Sequence, residues 1–250
     1  MRWLAGILLV IAASAASGET ACVSQSRVDA QIDRLAQSQD PNILQTVDRI
    51  EGTGRRLLAL RSYLRAANSI ATRWSWTQAQ IDNYRESTEY RALLAEIEQI
   101  RARFEKDNPG YQLYANTDVR SLDVQIERWN SNESVGVIAA DLERAACSRL
   151  AKASPANRNL LRDFLHDWVP ERPPPLAAPG LSLHGRARAI DFQVHQGNRV
   201  VAGADTGDIG PIWVGQGWGR KLERAVRGAS TKFVGPLKMP NEPWHFEYQP

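Results

Sequence analysis

The periodicity of the apolar residues changes at Asn108-Pro109-Gly110, and that change limits the folds open to this chain. Proline removes a backbone donor and glycine admits left-handed backbone, so the triplet marks a strong turn. Before it, apolar residues recur at helical spacing. Val28, Ile32 and Leu35 form one stripe, broken by Asp40-Pro41; Ile43, Leu44, Val47 and Ile50 form a second, closed by Gly52 and Gly54. Leu57, Leu58, Leu60, Leu64 and Ala67 belong to a third helix. A long fourth helix is predicted from about Thr77, with Leu93, Leu94, Ile97, Ile100 and Phe104 on one face. Glu96, Glu98, Arg101 and Arg103 fall largely off that stripe, as a solvated face requires.

After the turn, strand-like runs enter. Tyr111–Asn116 alternates, and Ala189–Val194, Arg199–Ala202 and Trp244–Tyr248 also read as strands. Helical spacing returns over Leu122–Trp129 and Val135–Leu150, and one amphipathic helix is expected near Gly219–Gly228. Helices and strands are segregated rather than regularly alternating, which predicts the α+β class. The expected organisation is a helical region over residues 22–106, followed by a small α+β domain over 107–250 with a short antiparallel sheet. Pro170–Pro179, which includes Pro173-Pro174-Pro175, reads as an extended surface segment.

A chain of 250 residues with 43% hydrophobic and 24% charged residues can bury a core without help from metals or disulfides. A metal in such a chain serves chemistry rather than folding. The net charge of +3 is spread along the sequence with no Lys/Arg run, so a nucleic-acid partner is not expected. Met1-Arg2 precedes an apolar run from Trp3 to Ala13, and small residues follow to Gly18. This is the pattern of a secretory signal peptide over residues 1–18. The run is shorter than the roughly 18–20 residues of a membrane span. The expectation is therefore export to the periplasm or cell envelope, with no stable membrane span after cleavage. Cys22 and Cys147 are a candidate disulfide in such a compartment; two unpaired thiols are one alternative, and a lipid-anchored Cys22 another, disfavoured by Glu19 three places before it.

The helical region has no histidine, no cysteine after Cys22 and no glycine-rich phosphate loop, so its expected role is packing, spacing or partner binding. Chemistry is expected later, where the four histidines lie: His166, His184, His195 and His245. Catalytic zinc commonly takes three ligands from His, Asp and Glu, leaving a position for water. His184, Asp191 and His245 meet that requirement. His195 lies four residues beyond Asp191, on the same face of a continuous strand, so His184, Asp191 and His195 form a rival set. A hydrolase also needs a base, and Glu242 stands three residues before His245, with Glu247 as competitor on the face of His245. Local spacing leaves both choices open.

The segments Ser182-Leu183-His184 through Ala189-Ile190-Asp191 and Glu242-Pro243-Trp244-His245 resemble the zinc signature of the D-alanyl-D-alanine carboxypeptidase family. That family belongs to the wider group of lysostaphin, the D-Ala-D-Ala metallopeptidases and sonic hedgehog. Its pattern is S-x-H-x-x-G-x-A-x-D, then E-x-x-H. Val119-Arg120-Ser121-Leu122-Asp123-Val124-Gln125 is similar to the family's preceding Y-R-S-x-x-x-Q segment. The resemblance spans about residues 107–250, on both sides of the proline-rich stretch.

The resemblance implies that His184, Asp191 and His245 hold Zn2+, and that Glu242 acts as general base and then as acid to the leaving amine. It implies that Arg120 stabilises the oxyanion or holds a substrate carboxylate, tasks that suit a guanidinium fork. Ser182 and Gln125 are implied to support or line the substrate site. His195 and Glu247 become groups that orient ligands, and His166 a structural residue. The implied function is an exported zinc peptidase of peptidoglycan stem peptides, foremost a D-alanyl-D-alanine-type carboxypeptidase. A cross-bridge endopeptidase and a noncatalytic zinc-bearing wall-binding module are the alternatives; binding alone needs neither Glu242 nor Arg120. Two positions depart from the pattern. Ala187 stands for the family glycine, where glycine permits a backbone angle that alanine tolerates poorly, and Val119 stands for tyrosine.

Overall fold

A computed structural model describes residues 25–152, 157 and 159–250. The expected signal segment and Cys22 lie outside the described residues, whereas Cys147 is disulfide-bonded. The fold is mixed α+β, mostly helical, with one small antiparallel sheet. Among the described residues no helix is long and apolar enough to cross a membrane.

The first six helices are α1 (Gln25–Gln37), α2 (Pro41–Asp48), α3 (Thr53–Ala66), α4 (Ile70–Arg73), α5 (Gln78–Arg85) and α6 (Thr88–Asp107). Side chains at their starts explain where they begin. Asp40 accepts from the Asn42 amide with Pro41 in the first turn of α2, and Thr77 and Gln80 make a reciprocal capping box on α5. The single helix expected from Thr77 is in fact two. Ser87 has extended backbone and accepts from the Tyr90 amide, starting α6 afresh.

Next come β1 (Gln112–Asn116), α7 (Leu122–Ser131), α8 (Glu133–Ala151) and α9 (Leu160–Asp167). Ser121 and Asn132 cap α7 and α8. The chain then runs through β2 (Ala189–Gln196), β3 (Arg199–Ala202), α10 (Trp218–Ala229), β4 (Phe233–Val234) and β5 (His245–Tyr248). The sheet order is β1-β2-β5-β4, with β3 also paired to β2. The central strand β2 sets Asp191 opposite Asn116 of β1 and opposite His245 of β5. A two-residue turn with Gly197 at φ +57° returns β2 into β3.

Two apolar cores form. One gathers α1, α2, α3, α8 and α9 around Tyr63 and Trp129, and includes Ala178 and Leu181 from the segment before the first predicted ligand. The other joins Leu93, Ile97, Ile100 and Phe104 of α6 to the sheet and to Trp218, Leu222 and Val226 of α10. Full burial of an aliphatic or aromatic side chain is worth about 1.5–3 kcal/mol, so each set is large enough to hold its layer together. Neither core lies on one side of residue 107: α6 packs on the sheet, and α8 and α9 pack back on α1–α3.

Between the cores, Trp74–Trp76 is stitched to the loop that leads into β2. The Ser75 amide donates to Gly180 O and the Trp76 amide to Gly185 O, each at 2.9 Å. On its other side Trp76 O accepts from the Leu122 amide, and His184 O accepts from the Arg120 amide. The segment carrying His184 is therefore held from both flanks by backbone bonds.

Candidate metal centre

His184 sits in a short 3-10 turn over Leu183–Arg186 that ends at Ala187. Ala187 has φ +53° and ψ +30°, the left-handed region that favours glycine. That residue turns the chain from the His184 loop into β2 while its own side chain is buried in the sheet core. Asp191 then follows on β2, directly across from His245 on β5.

The three side chains converge. His245 Nδ1 lies 3.0 Å from Asp191 Oδ1, His184 Nε2 lies 3.4 Å from Asp191 Oδ2, and the two imidazole nitrogens are 3.3 Å apart. At zinc–nitrogen distances of about 2.0–2.1 Å, a tetrahedral edge measures about 3.3 Å, which these separations match. His184 Nε2 is the ring atom that faces the cluster. His184, Asp191 and His245 can hold a metal ion.

The electrostatics keep the donors in their metal-binding forms. Burial pushes the His184 imidazole down to about 4, with Arg120 and His245 acting the same way and Asp191 opposing. Burial tends to raise Asp191, but the hydrogen bond with His245 and the fields of His184, His245 and Arg120 prevail and hold it below the usual carboxylate range. Near neutrality the site therefore offers a neutral imidazole at His184 and an ionised carboxylate at Asp191.

Glu242 lies before β5, its amide donating to Leu237 O and its carbonyl accepting from the His245 amide. Its Oε2 is 3.6 Å from His245 Nδ1. Burial, aided by Asp191, raises its carboxyl against the pull of His245 and Arg120. Arg120 is half-buried; desolvation lowers its guanidinium, while Asp191 and Glu242 act to raise it. Arginine remains protonated nonetheless.

Arg120, Ser182, His184, Asp191, Glu242 and His245 line one cleft of about 510 Å³, within the range of small-ligand sites. Gln125 does not line it. Its buried amide donates to Ser75 Oγ and Arg120 O at 2.8 Å each, and its Oε1 accepts from the Gly180 amide. Gln125 thus clamps the three segments that carry the site. Glu247 lines the cleft, but among the described residues the carboxylates within 4 Å of a cluster histidine are Asp191 and Glu242. His195 faces Gln193 and Tyr114, about 13 Å along the strand from Asp191 at the ordinary rise. His166 is exposed on α9 beside Asp167.

One cleft residue has no signal in the sequence: Arg73, at the end of α4. It belongs to the helices that carry no recognisable motif, and it comes to the cleft through its bond to Leu181 O, far along the chain. Comparison of the chain with protein-family models, with curated proteins and with solved structures finds no match.

Proposed function

We propose that this chain is an exported zinc-dependent peptidase of bacterial cell-wall peptides, acting foremost as a D-alanyl-D-alanine-type carboxypeptidase. The observation that carries the reading is the convergence of His184, Asp191 and His245 at tetrahedral-edge distances, with the Glu242 carboxylate 3.6 Å from His245 Nδ1. The motif resemblance assigns the same residues to the same roles. A disulfide at Cys147 agrees with an oxidising compartment.

His184, Asp191 and His245 would hold the zinc. Zinc, when bound, supplies Lewis acidity that polarises a carbonyl and brings the pKa of water toward about 7. Glu242 takes a proton from the attacking water and delivers it to the leaving amine. A positioned carboxylate at this distance from His245 can serve both tasks. Arg120 donates to the developing oxyanion, a charge that grows during reaction and is therefore met more strongly in the transition state. Trp244, buried against Trp213, forms part of the wall that limits water access. Glu242 and Arg120 together favour hydrolysis over a binding module.

The reading is tested with purified mature protein, zinc-loaded or chelator-treated, incubated with defined muropeptides and followed by mass spectrometry. Zinc-dependent loss of a terminal alanine, absent in Glu242→Ala, is the expected result. Internal cleavage makes the enzyme an endopeptidase, and no cleavage by a folded, zinc-loaded protein contradicts the peptidase reading.

A further inference from the structure

The helices before residue 107 contribute a charged side chain to the cleft. Arg73 lines the same cavity as the metal cluster. Its Nη2 donates to Leu181 O at 3.0 Å, while its Nε is buried without a hydrogen-bond partner. None of the ion pairs among the described residues includes Arg73. That Nε lies inside the protein and is not the donor a ligand would meet; what the cleft offers is a guanidinium charge with no carboxylate partner among the described residues. The planar fork matches a carboxylate in particular.

The position of Arg73 is built rather than incidental. Trp74 packs against Gly180, where an added Cβ would come within 2.8 Å of the indole. Ser75 and Trp76 are bonded to Gly180 and Gly185, and Arg186 donates to the carbonyls of Ala71 and Thr72 while lying over the Trp76 ring. The backbone on either side of Arg73 is therefore fixed to the loop that carries His184.

Two guanidinium groups in one cleft correspond to two anionic groups on a peptide cut near its end. One is the oxyanion that develops at the scissile carbonyl; the other is the permanent terminal carboxylate. Arg120 lies in the field of Asp191 and Glu242, at the reacting end. Arg73 instead sits against the Leu181 carbonyl. We propose that Arg73 binds the terminal carboxylate of the substrate peptide, so that the cleft selects chains ending just beyond the scissile bond. This rests on the peptidase reading above and makes the helical region part of the substrate site.

The test compares an N-acetylated D-Ala-D-Ala peptide bearing a free terminal carboxylate with the same peptide as its carboxamide. Hydrolysis is followed with wild type, Arg73→Gln and Arg73→Lys, each checked for native circular dichroism. Affinity for both peptides is also measured by calorimetry on Glu242→Ala, with and without Arg73→Gln. The expected result is that Arg73→Gln raises KM for the free acid about 10- to 100-fold, the worth of a charged hydrogen bond. The carboxamide should change little, and Arg73→Lys should recover part of the loss. Equal effects on acid and amide, or none, overturn the proposal while leaving the peptidase reading intact. Acid-selective, Arg73-dependent binding without any hydrolysis upholds the anchor and overturns the peptidase reading instead.

Discussion

Asp191 on β2 and His245 on β5 are cross-strand partners whose Oδ1 and Nδ1 lie 3.0 Å apart, so the sheet register itself sets the spacing of two candidate metal ligands. A one-residue slip in an antiparallel pair turns every side chain to the opposite face. Formation of the centre is thus tied to correct pairing of the last strand with the central one. The third candidate ligand, His184, comes from a loop fixed by backbone bonds to Trp76 and Arg120 rather than by the sheet.

The metal-free protein should lose stability as the pH falls below neutrality. His184 has its folded pKa depressed to about 4 from 6.5, so the unfolded chain binds more protons between those values. Its contribution is complete above about 6.5 and is lost as the pH falls toward about 4, on the order of 3 kcal/mol at most. Asp191, also depressed, adds to the acid loss below the usual carboxylate range; Glu242, raised, has the opposite sign. Urea unfolding of chelator-treated protein from pH 7 to 4.5 measures this, and His184→Gln should flatten the dependence. A wild-type curve already flat from 6.5 to 4.5 would show that His184 is not buried in neutral form.

Ala187→Gly should be nearly neutral, although the residue is buried. Relief of left-handed backbone is worth about 1–2 kcal/mol, which offsets the lost methyl at about 0.8 kcal/mol and the looser unfolded chain at about 0.4–1 kcal/mol. Ala189→Gly, equally buried but on β2, gains no such relief. Denaturant midpoints should place Ala189→Gly at least about 1 kcal/mol below Ala187→Gly. The reverse order would rule out the backbone conformation described for Ala187.

Removal of the Gln125 clamp should weaken both fold and site. Gln125→Leu leaves the Gly180 amide and Arg120 carbonyl without their buried partner, a loss of roughly 2–4 kcal/mol. Gly185→Ala should cost about 1–3 kcal/mol, because the new Cβ collides with Ser75 and comes within 2.6 Å of Gln125 Nε2. Thermal unfolding reads both. Zinc affinity should fall less than stability, since the three ligands themselves remain.

The elements nearest the site are those most legible from residue pattern. Alternation marks β1 and β2, and helical spacing marks α7, α8 and α10, because each buries one face. The break between α5 and α6 is harder to read, since apolar spacing continues across it and a single serine cap decides it. The choice between His195 and His245 cannot be made from local spacing, because it depends on which strand lies beside β2. Ala187 is legible as an anomaly, since alanine at a position that demands glycine-like backbone stands out against the motif. Arg73 leaves no local mark at all: its membership of the cleft is created by packing against a loop about a hundred residues later.

Zinc content measures the central claim most directly. Protein stripped with chelator, reloaded and desalted is analysed by elemental mass spectrometry beside His184→Ala, Asp191→Ala and His245→Ala. One zinc per chain in wild type, and less than a tenth of that in each folded variant, is the predicted result. Zinc retained undiminished in the variants, or absent from folded wild type, would contradict a metal centre built from these three side chains.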